Sequence, residues 1–451
     1  MRLHPSLPSL DAPPDPDLGT ALPDLGRESI PGPRSRGWVD VLAAHECPAI
    51  TARRARRSDT FGVDQDPVVW ARACGANVWD PDGVRFVDLT GGFGVASAGQ
   101  GNDHVRAAVH AQVDRLPHGL GDAFPAVGRI RLAESLARLT PGDLSQVIFG
   151  SSGSEAVEAA LKTAVMATGR SGVVAFEGGY HGMSLGALAV SHYREAFRAP
   201  FAGRSGDEAT FLPFGEDPAE IGFVLDVERP GAVIVEPIQG RGGDRTPPAG
   251  WLRELRECTR SRGIVLIFDE IFTGFGRAGR LFQAGSPDAD GVVPDLLCVG
   301  KGLTSGYPLS ACVGTPDVMA AWGASRGEAL HTSTFLGHPV GCAAALAVVE
   351  LFETGGLLGR GQALGEHMGA TLTALTQRRS EVFSGVRGRG AMRGLELRDP
   401  SRTFPLCRAL LERGFLVLPA GLEGEVISFT PPLTLTLTQW DGAVSALEGA
   451  L

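Results

Sequence analysis

Lysine is almost missing from this 451-residue chain: only Lys162 and Lys301 occur, so nearly all of the 41 basic residues are arginine. Any chemistry that needs an amine nucleophile therefore has two candidates. An excess of positive charge is missing too. The formal net charge is -10, which argues against a nucleic-acid surface, because phosphate binding needs a concentrated excess of Lys and Arg. The one basic cluster, Arg53, Arg54, Arg56 and Arg57, is short and reads as a solvated face or loop. No stretch approaches the ~20 apolar residues of a membrane span. The N-terminus has neither a basic leader nor an apolar run behind it. These absences predict a cytoplasmic protein with no membrane and no nucleic-acid partner. The seven cysteines are scattered, odd in number and never form C-x-x-C. That suits reduced thiols better than a disulfide framework or a zinc site, and no metal is expected. Cys298 and Cys312 lie inside apolar runs, where buried packing is the simplest role.

What is present is ordinary globular material, with 43% hydrophobic and 20% charged residues. The length predicts two or three domains, or one large domain carrying a smaller one. Residues 1–35, rich in Pro, Asp and Gly with no apolar period, read as a flexible N-terminal arm. Asn77 to Leu89 (NVWDPDGVRFVDL) reads as two strands around an Asp-Pro-Asp-Gly turn. From Val147 to Gly314 short apolar runs (VIF, GVVAF, AVIVE, IVLIFD, LLCVG, ACVG) alternate with helical stretches. Buried strands alternating with helices predict an α/β fold with a mostly parallel, helix-covered sheet. Beyond Pro339 the pattern turns helical through Glu353, then continues with helix and strand signals as a second, smaller layer.

Four segments carry residues suited to chemistry. Lys162 lies within a helical apolar spacing, where a surface lysine needs no special account. Lys301 follows the strand LLCV and opens the glycine-rich GKGLTSGYPLS, at a strand's carboxyl end, where open α/β sheets place ligands. A phosphate-loop reading fails there: Asp295 stands where the first Gly belongs, and Gly302 where Ser or Thr must hold magnesium. A structural lysine and a catalytic one both remain open. GSSGSEAVEAALKTA, from Gly150, runs from a strand into a helix, with Ser152 and Glu155 spaced as a capping box. It is a well-capped helix, a phosphate-binding N-terminus, or both. IVLIFDEIFTGFGRAG ends a strand in Asp269 and Glu270. Such an acid caps a loop or, without a companion ligand, poorly holds a metal. It is also what pyridoxal 5'-phosphate (PLP) chemistry needs opposite the pyridine nitrogen. EGGYHGMSLGA brings Tyr180 and His181 to the same sheet edge, Tyr180 as core or as a partner for a flat ring.

In this order, with EPIQG, HTSTFLGHP and RGRGAMRGLEL, the series resembles the class III aminotransferases, the group of ornithine, acetylornithine, 4-aminobutyrate and diaminopelargonate aminotransferases. The match runs from about Asn77 to the C-terminus. The resemblance implies a PLP-dependent fold-type I protein with a large domain over residues 86–340. A smaller α+β domain would be built from residues 36–85 and 341–451. It implies that Lys301 holds PLP as a Schiff base and moves the proton, that Asp269 pairs with the pyridine nitrogen, and that Ile271 packs behind the ring. Gly153 and Ser154 would bind the phosphate, Tyr180 would stack on the ring, and Thr334 would reach the phosphate of a neighbouring subunit. A homodimer with shared active sites follows from that last assignment.

Four positions depart from the family pattern. Phe272 stands where many members have Gln, and Met183 where some have Arg. Ser428 replaces the Arg that usually holds the substrate α-carboxylate, and Arg241 stands where some members have the Glu that pairs with it. Arg241 is therefore a candidate to supply the carboxylate contact from the opposite side, with an outward-facing loop arginine as the plain alternative. The function implied is amino transfer between an amine or amino acid and an oxo acid by a ping-pong cycle. A racemase or epimerase on the same scaffold, or a PLP-binding protein without catalysis, are the other readings.

Overall fold

The Asp-Pro-Asp-Gly turn organises the first sheet. In the computed structural model, which describes residues 7–26, 29–61, 67–204, 209–324 and 329–451, β1 (Arg72–Cys74), β2 (Asn77–Trp79) and β3 (Arg85–Asp88) pair antiparallel in sequence. Between β2 and β3, Asp80 accepts the Val84 N–H at 2.8 Å, and Gly83 takes φ +87°, which costs a Cβ-free residue little. Asp82 turns the other way and accepts the N–H groups of Arg34 and Ser35, capping the helix Pro33–His45. A second helix, Pro48–Phe61, carries the basic cluster.

Of the segment expected to be a flexible arm, residues 1–6 and 27–28 lie outside the described residues, and the stretch around 19–24 is docked instead. Asn77 receives and donates hydrogen bonds to the Ala21 backbone at 3.0 and 2.9 Å, Gln439 donates to the carbonyls of Gly19 and Ala21, and Asp24 pairs through its backbone with Arg85. Its hydrogen bonds are met by two buried amide side chains 56 and about 420 residues away in sequence, which no local pattern reveals.

The apolar runs from Val147 to Gly314 form the predicted sheet. Its strands are β4 (Gln146–Gly150), β5 (Val173–Phe176), β6 (Thr210–Leu212), β7 (Ala232–Val235), β8 (Val265–Asp269), β9 (Leu296–Val299) and β10 (Ser310–Gly314). The order is β4-β10-β9-β8-β7-β5-β6, parallel except that β10 runs antiparallel to both β9 and β4. The short edge strand β6 has too few residues to show a period and was not anticipated. Ala156, Ala159, Ala160 and Ala164 let the helix Gly153–Thr168 lie close on one face. The helix Pro339–Glu353, opened by a proline that suits the first turn, packs with Asp103–Arg115 and Val127–Leu139. Cys298 and Cys312 are buried cross-strand neighbours on β9 and β10, as packing residues should be.

A third sheet, order β11-β12-β15-β14, joins β11 (Phe383–Arg389), β12 (Met392–Leu397), β14 (Leu418–Ala420) and β15 (Val426–Phe429), all antiparallel. The remaining strand, β13 (Phe415–Leu416), pairs parallel with β3, so the two ends of the chain meet in one sheet. No single described helix is long and apolar enough to cross a membrane.

Candidate active site

Because β5, β7, β8 and β9 are parallel, their carboxyl ends share one edge of the sheet, where this architecture leaves a crevice. Each end delivers a side chain to a single cleft of about 330 Å³: Tyr180 and His181 after β5, Glu236 and Arg241 after β7, Asp269 and Ile271 at β8, and Lys301 after β9. Gly153 and Ser154 close one end. The structure therefore brings together every predicted site residue except Thr334. That residue is exposed, in a separate small pocket with His118, Arg129 and His338.

Asp269 is 4% exposed and held from two sides. Its Oδ1 accepts the Ile271 N–H at 3.0 Å, and its Oδ2 lies 2.8 Å from Nδ1 of His181, itself buried. Burial disfavours a charge on His181, but the Asp269 carboxylate, with Glu236 nearby, holds its pKa above the usual imidazole value. The neighbouring Glu270 faces away and folds the following loop, accepting from Gln283 N–H, Ala284 N–H and the Thr273 hydroxyl. One acid of the pair thus serves the cleft and the other its wall.

Burial lowers the Lys301 pKa below that of a free lysine, Asp269 and Glu236 oppose this, and Arg241 adds to it. A lowered pKa makes the neutral, nucleophilic amine easier to reach. Lys301 Nζ lies 4.6 Å from the centre of the Phe272 ring. That ring is wedged between Gly94 and Gly240, where an added Cβ would come within 2.3 and 2.2 Å of it. Lys162, by contrast, is exposed on its helix near His331.

At the other end, Ser152 caps the helix Gly153–Thr168 by accepting the Glu155 N–H. The predicted capping box forms only by half, because Glu155 accepts from Ser151 N–H at 2.7 Å rather than returning to Ser152. First-turn N–H groups at Gly153 and Ser154 have no carbonyl behind them in the helix. The Tyr-His-Gly-Met turn lies directly on this helix start: Met183 N–H donates to Ser154 Oγ, and a Cβ on Gly182 would sit 2.1 Å from that oxygen.

Arg241 has its guanidinium carbon 5.1 Å from the Tyr180 ring centre, 5.3 Å from Tyr193 and 6.0 Å from Phe93. Among the described residues its side chain forms no ion pair. Ser428 lies on β15 outside the cleft lining. Met183 is half-exposed at the rim. His181 as the partner of Asp269, and Glu236, Phe93 and Tyr193, were missed. Glu236 had a signal, an acid closing the apolar run AVIVE just as Asp269 closes VLIF.

The cleft fits PLP by its donor set. A buried acid, the N–H groups of a helix start, an amine and an aromatic ring line it together, and Gly153 is packed so closely on Ile271 that its Cβ would be 3.0 Å from Ile271 Cγ2. The sequence model of the class-III aminotransferases matches residues 60–451. The chain belongs to the class-III aminotransferases. It is 37% identical over 391 residues to an acetylornithine aminotransferase of Methanosarcina acetivorans, covering 87% of this chain and 93% of that one. It is 31% identical over 452 residues to an alanine/serine racemase of Pyrococcus horikoshii, covering 93% and 91%. Among solved structures it resembles a PLP-bound amine transaminase from an uncultivated Pseudomonas species, with TM-score 0.77 and 32% identity over 86% of this chain and 95% of that one. As a class-III aminotransferase the chain is a PLP-dependent enzyme of amino-group transfer.

Proposed function

We propose that the cleft moves an amino group from an amine or amino acid to an oxo acid in two half-reactions, with Lys301 as the residue that anchors PLP. The observation that carries this is the convergence of Lys301, Asp269, Tyr180 and the helix start at Gly153 on one cleft. PLP supplies an electron sink for the pair released when the substrate Cα–H bond breaks. Asp269, oriented by His181, would present a carboxylate to the pyridine nitrogen. Gly153 and Ser154 would hold the phosphate, and Ile271 and Tyr180 would support the ring. Lys301 would hold and move the proton at its Nζ. Arg241 takes the substrate carboxylate.

Thr334 does not reach the cleft of its own chain, which supports the reading that a second copy supplies it, in a homodimer with shared sites. We place the enzyme in the cytoplasm, a reading supported by seven free thiols. Borohydride reduction of the yellow holoenzyme followed by peptide mapping should label Lys301, and Lys301→Ala should lose the visible band. A label on Lys162 would remove the assignment. Amine consumption should require pyruvate or 2-oxoglutarate; inversion of an amino acid without either acceptor would favour racemisation instead.

A further inference from the structure

Glu236 lines the cleft with Lys301 and Asp269, is 5% exposed, and forms no ion pair among the described residues. Both its oxygens are engaged by backbone. Oε1 accepts the Tyr180 N–H at 2.9 Å, and Oε2 accepts the Gly240 N–H at 3.1 Å. These N–H groups belong to the two loops that bring the Tyr180 ring and the Arg241 guanidinium to the cleft. Burying a carboxylate with no ion-pair partner in contact costs free energy. A glutamine would meet one of the two N–H groups without that cost, so the charge itself needs a use.

The charges acting on the Lys301 nitrogen come from two elements: Asp269 at the end of β8, and Glu236 and Arg241 in the loop after β7, while the loop after β8 brings the Phe272 ring. The charge of Asp269 is already met by His181. Arg241 opposes a cation at Lys301, and Glu236, five residues earlier in the same loop, is the opposite charge left unmatched. Glu236 itself also feels the charges of His181 and Asp269, and Asp244 feels that of Glu236.

We propose that Glu236 is a positioning residue that fixes the Tyr180 and Arg241 loops against each other and offsets Arg241 in the electrostatic field at the Lys301 nitrogen. This rests on the reading of Lys301 as the lysine that anchors PLP. Burial, above all, pushes Glu236 up to about 7, with His181 pulling it down and Asp269 adding to the rise. Its ionisation near neutrality therefore responds to the charge opposite it, and a cation at Lys301 favours the carboxylate.

The test reads two midpoints. One is the pH at which the visible band of the holoenzyme changes. The other is the pH dependence of Lys301 acylation by an amine-directed reagent after removal of PLP, resolved by peptide mapping with Lys162 as internal reference. Glu236→Gln should lower both midpoints by about one pH unit or more, the lower end of the effect of a nearby opposite charge. Arg241→Gln should raise them, the double variant should return close to the parent, and Glu236→Asp should fall between parent and Gln. Unchanged midpoints in Glu236→Gln alongside slowed turnover would leave only a structural role and overturn the proposal. If Glu236→Gln does not fold, unchanged midpoints in Glu236→Asp overturn it equally. A holoenzyme without a visible band would sink the cofactor reading alone, since the acylation profile of Lys301 is read either way.

Discussion

Arg241 stands among three aromatic rings, has no ion-pair partner among the described residues, and lines the same cleft as Lys301. A guanidinium held by ring faces keeps its N–H fork available for a carboxylate. The exchange of two residues makes sense of this. Ser428 lies on β15 outside the cleft lining, while an arginine lines the cleft at position 241. Arg241→Ala should raise KM for carboxylate substrates by the equivalent of ~1.5–3 kcal/mol, the worth of a charge-assisted hydrogen bond, and spare amines without a carboxylate. Steady-state kinetics on a matched pair of substrates decides it. Equal losses for both would mean that the arginine only shapes the loop.

The segment from Glu236 to Arg245 is built around buried acids as much as around its glycines. Asp244, fully buried with φ +52°, sits so close to β11 and β12 that a Cβ on Gly388 or Gly394 would crowd it. Burial pushes its carboxyl up to about 7, against weaker support from Ser428 and Arg387. A carboxyl whose folded pKa is raised binds its proton more tightly in the folded state than in the unfolded one. Stability therefore falls as the pH rises from the ordinary Asp value toward 7, and levels off above it. Asp244→Asn removes that titration. The variant should gain on the parent across this window, by ~2–4 kcal/mol once the pH exceeds 7. Urea denaturation at pH 5 and pH 8 measures the gain. A constant difference at both pH values would show that Asp244 is not the group that titrates.

At the scale of the whole molecule, some large apolar side chains are exposed. Phe124 is 73% exposed, Val127 71% and Phe335 57%, and the Phe335 ring lies tilted against that of His118, which shares a small pocket with Thr334. Exposed apolar side chains of this size would suit the homodimer proposed above. Val127→Glu should shift the protein toward monomer in sedimentation velocity and weaken PLP retention. A monomeric parent, or a monomeric variant that keeps PLP as tightly, would remove the shared site.

The large sheet, the cleft and its lysine were legible in the sequence because they are local: an apolar strand of about five residues, then a glycine-rich turn with one unusual side chain at its end. Of the two lysines in the chain, only Lys301 lies on a glycine-rich turn at a strand end, which left a structural and a catalytic role open until the family resemblance favoured the second. The docked N-terminal segment was not legible, since the groups that hold it, Asn77 and Gln439, lie far along the chain. Nor was the division of labour between Asp269 and Glu270. Adjacent residues on a strand face opposite sides, and only the packed structure shows that one side holds His181 and the cleft and the other the loop to Ala284. The sequence by itself determined which groups could react. The tertiary structure decided which charges face one another, because burial and distance set the strength of a charge and neither is written in the order of residues.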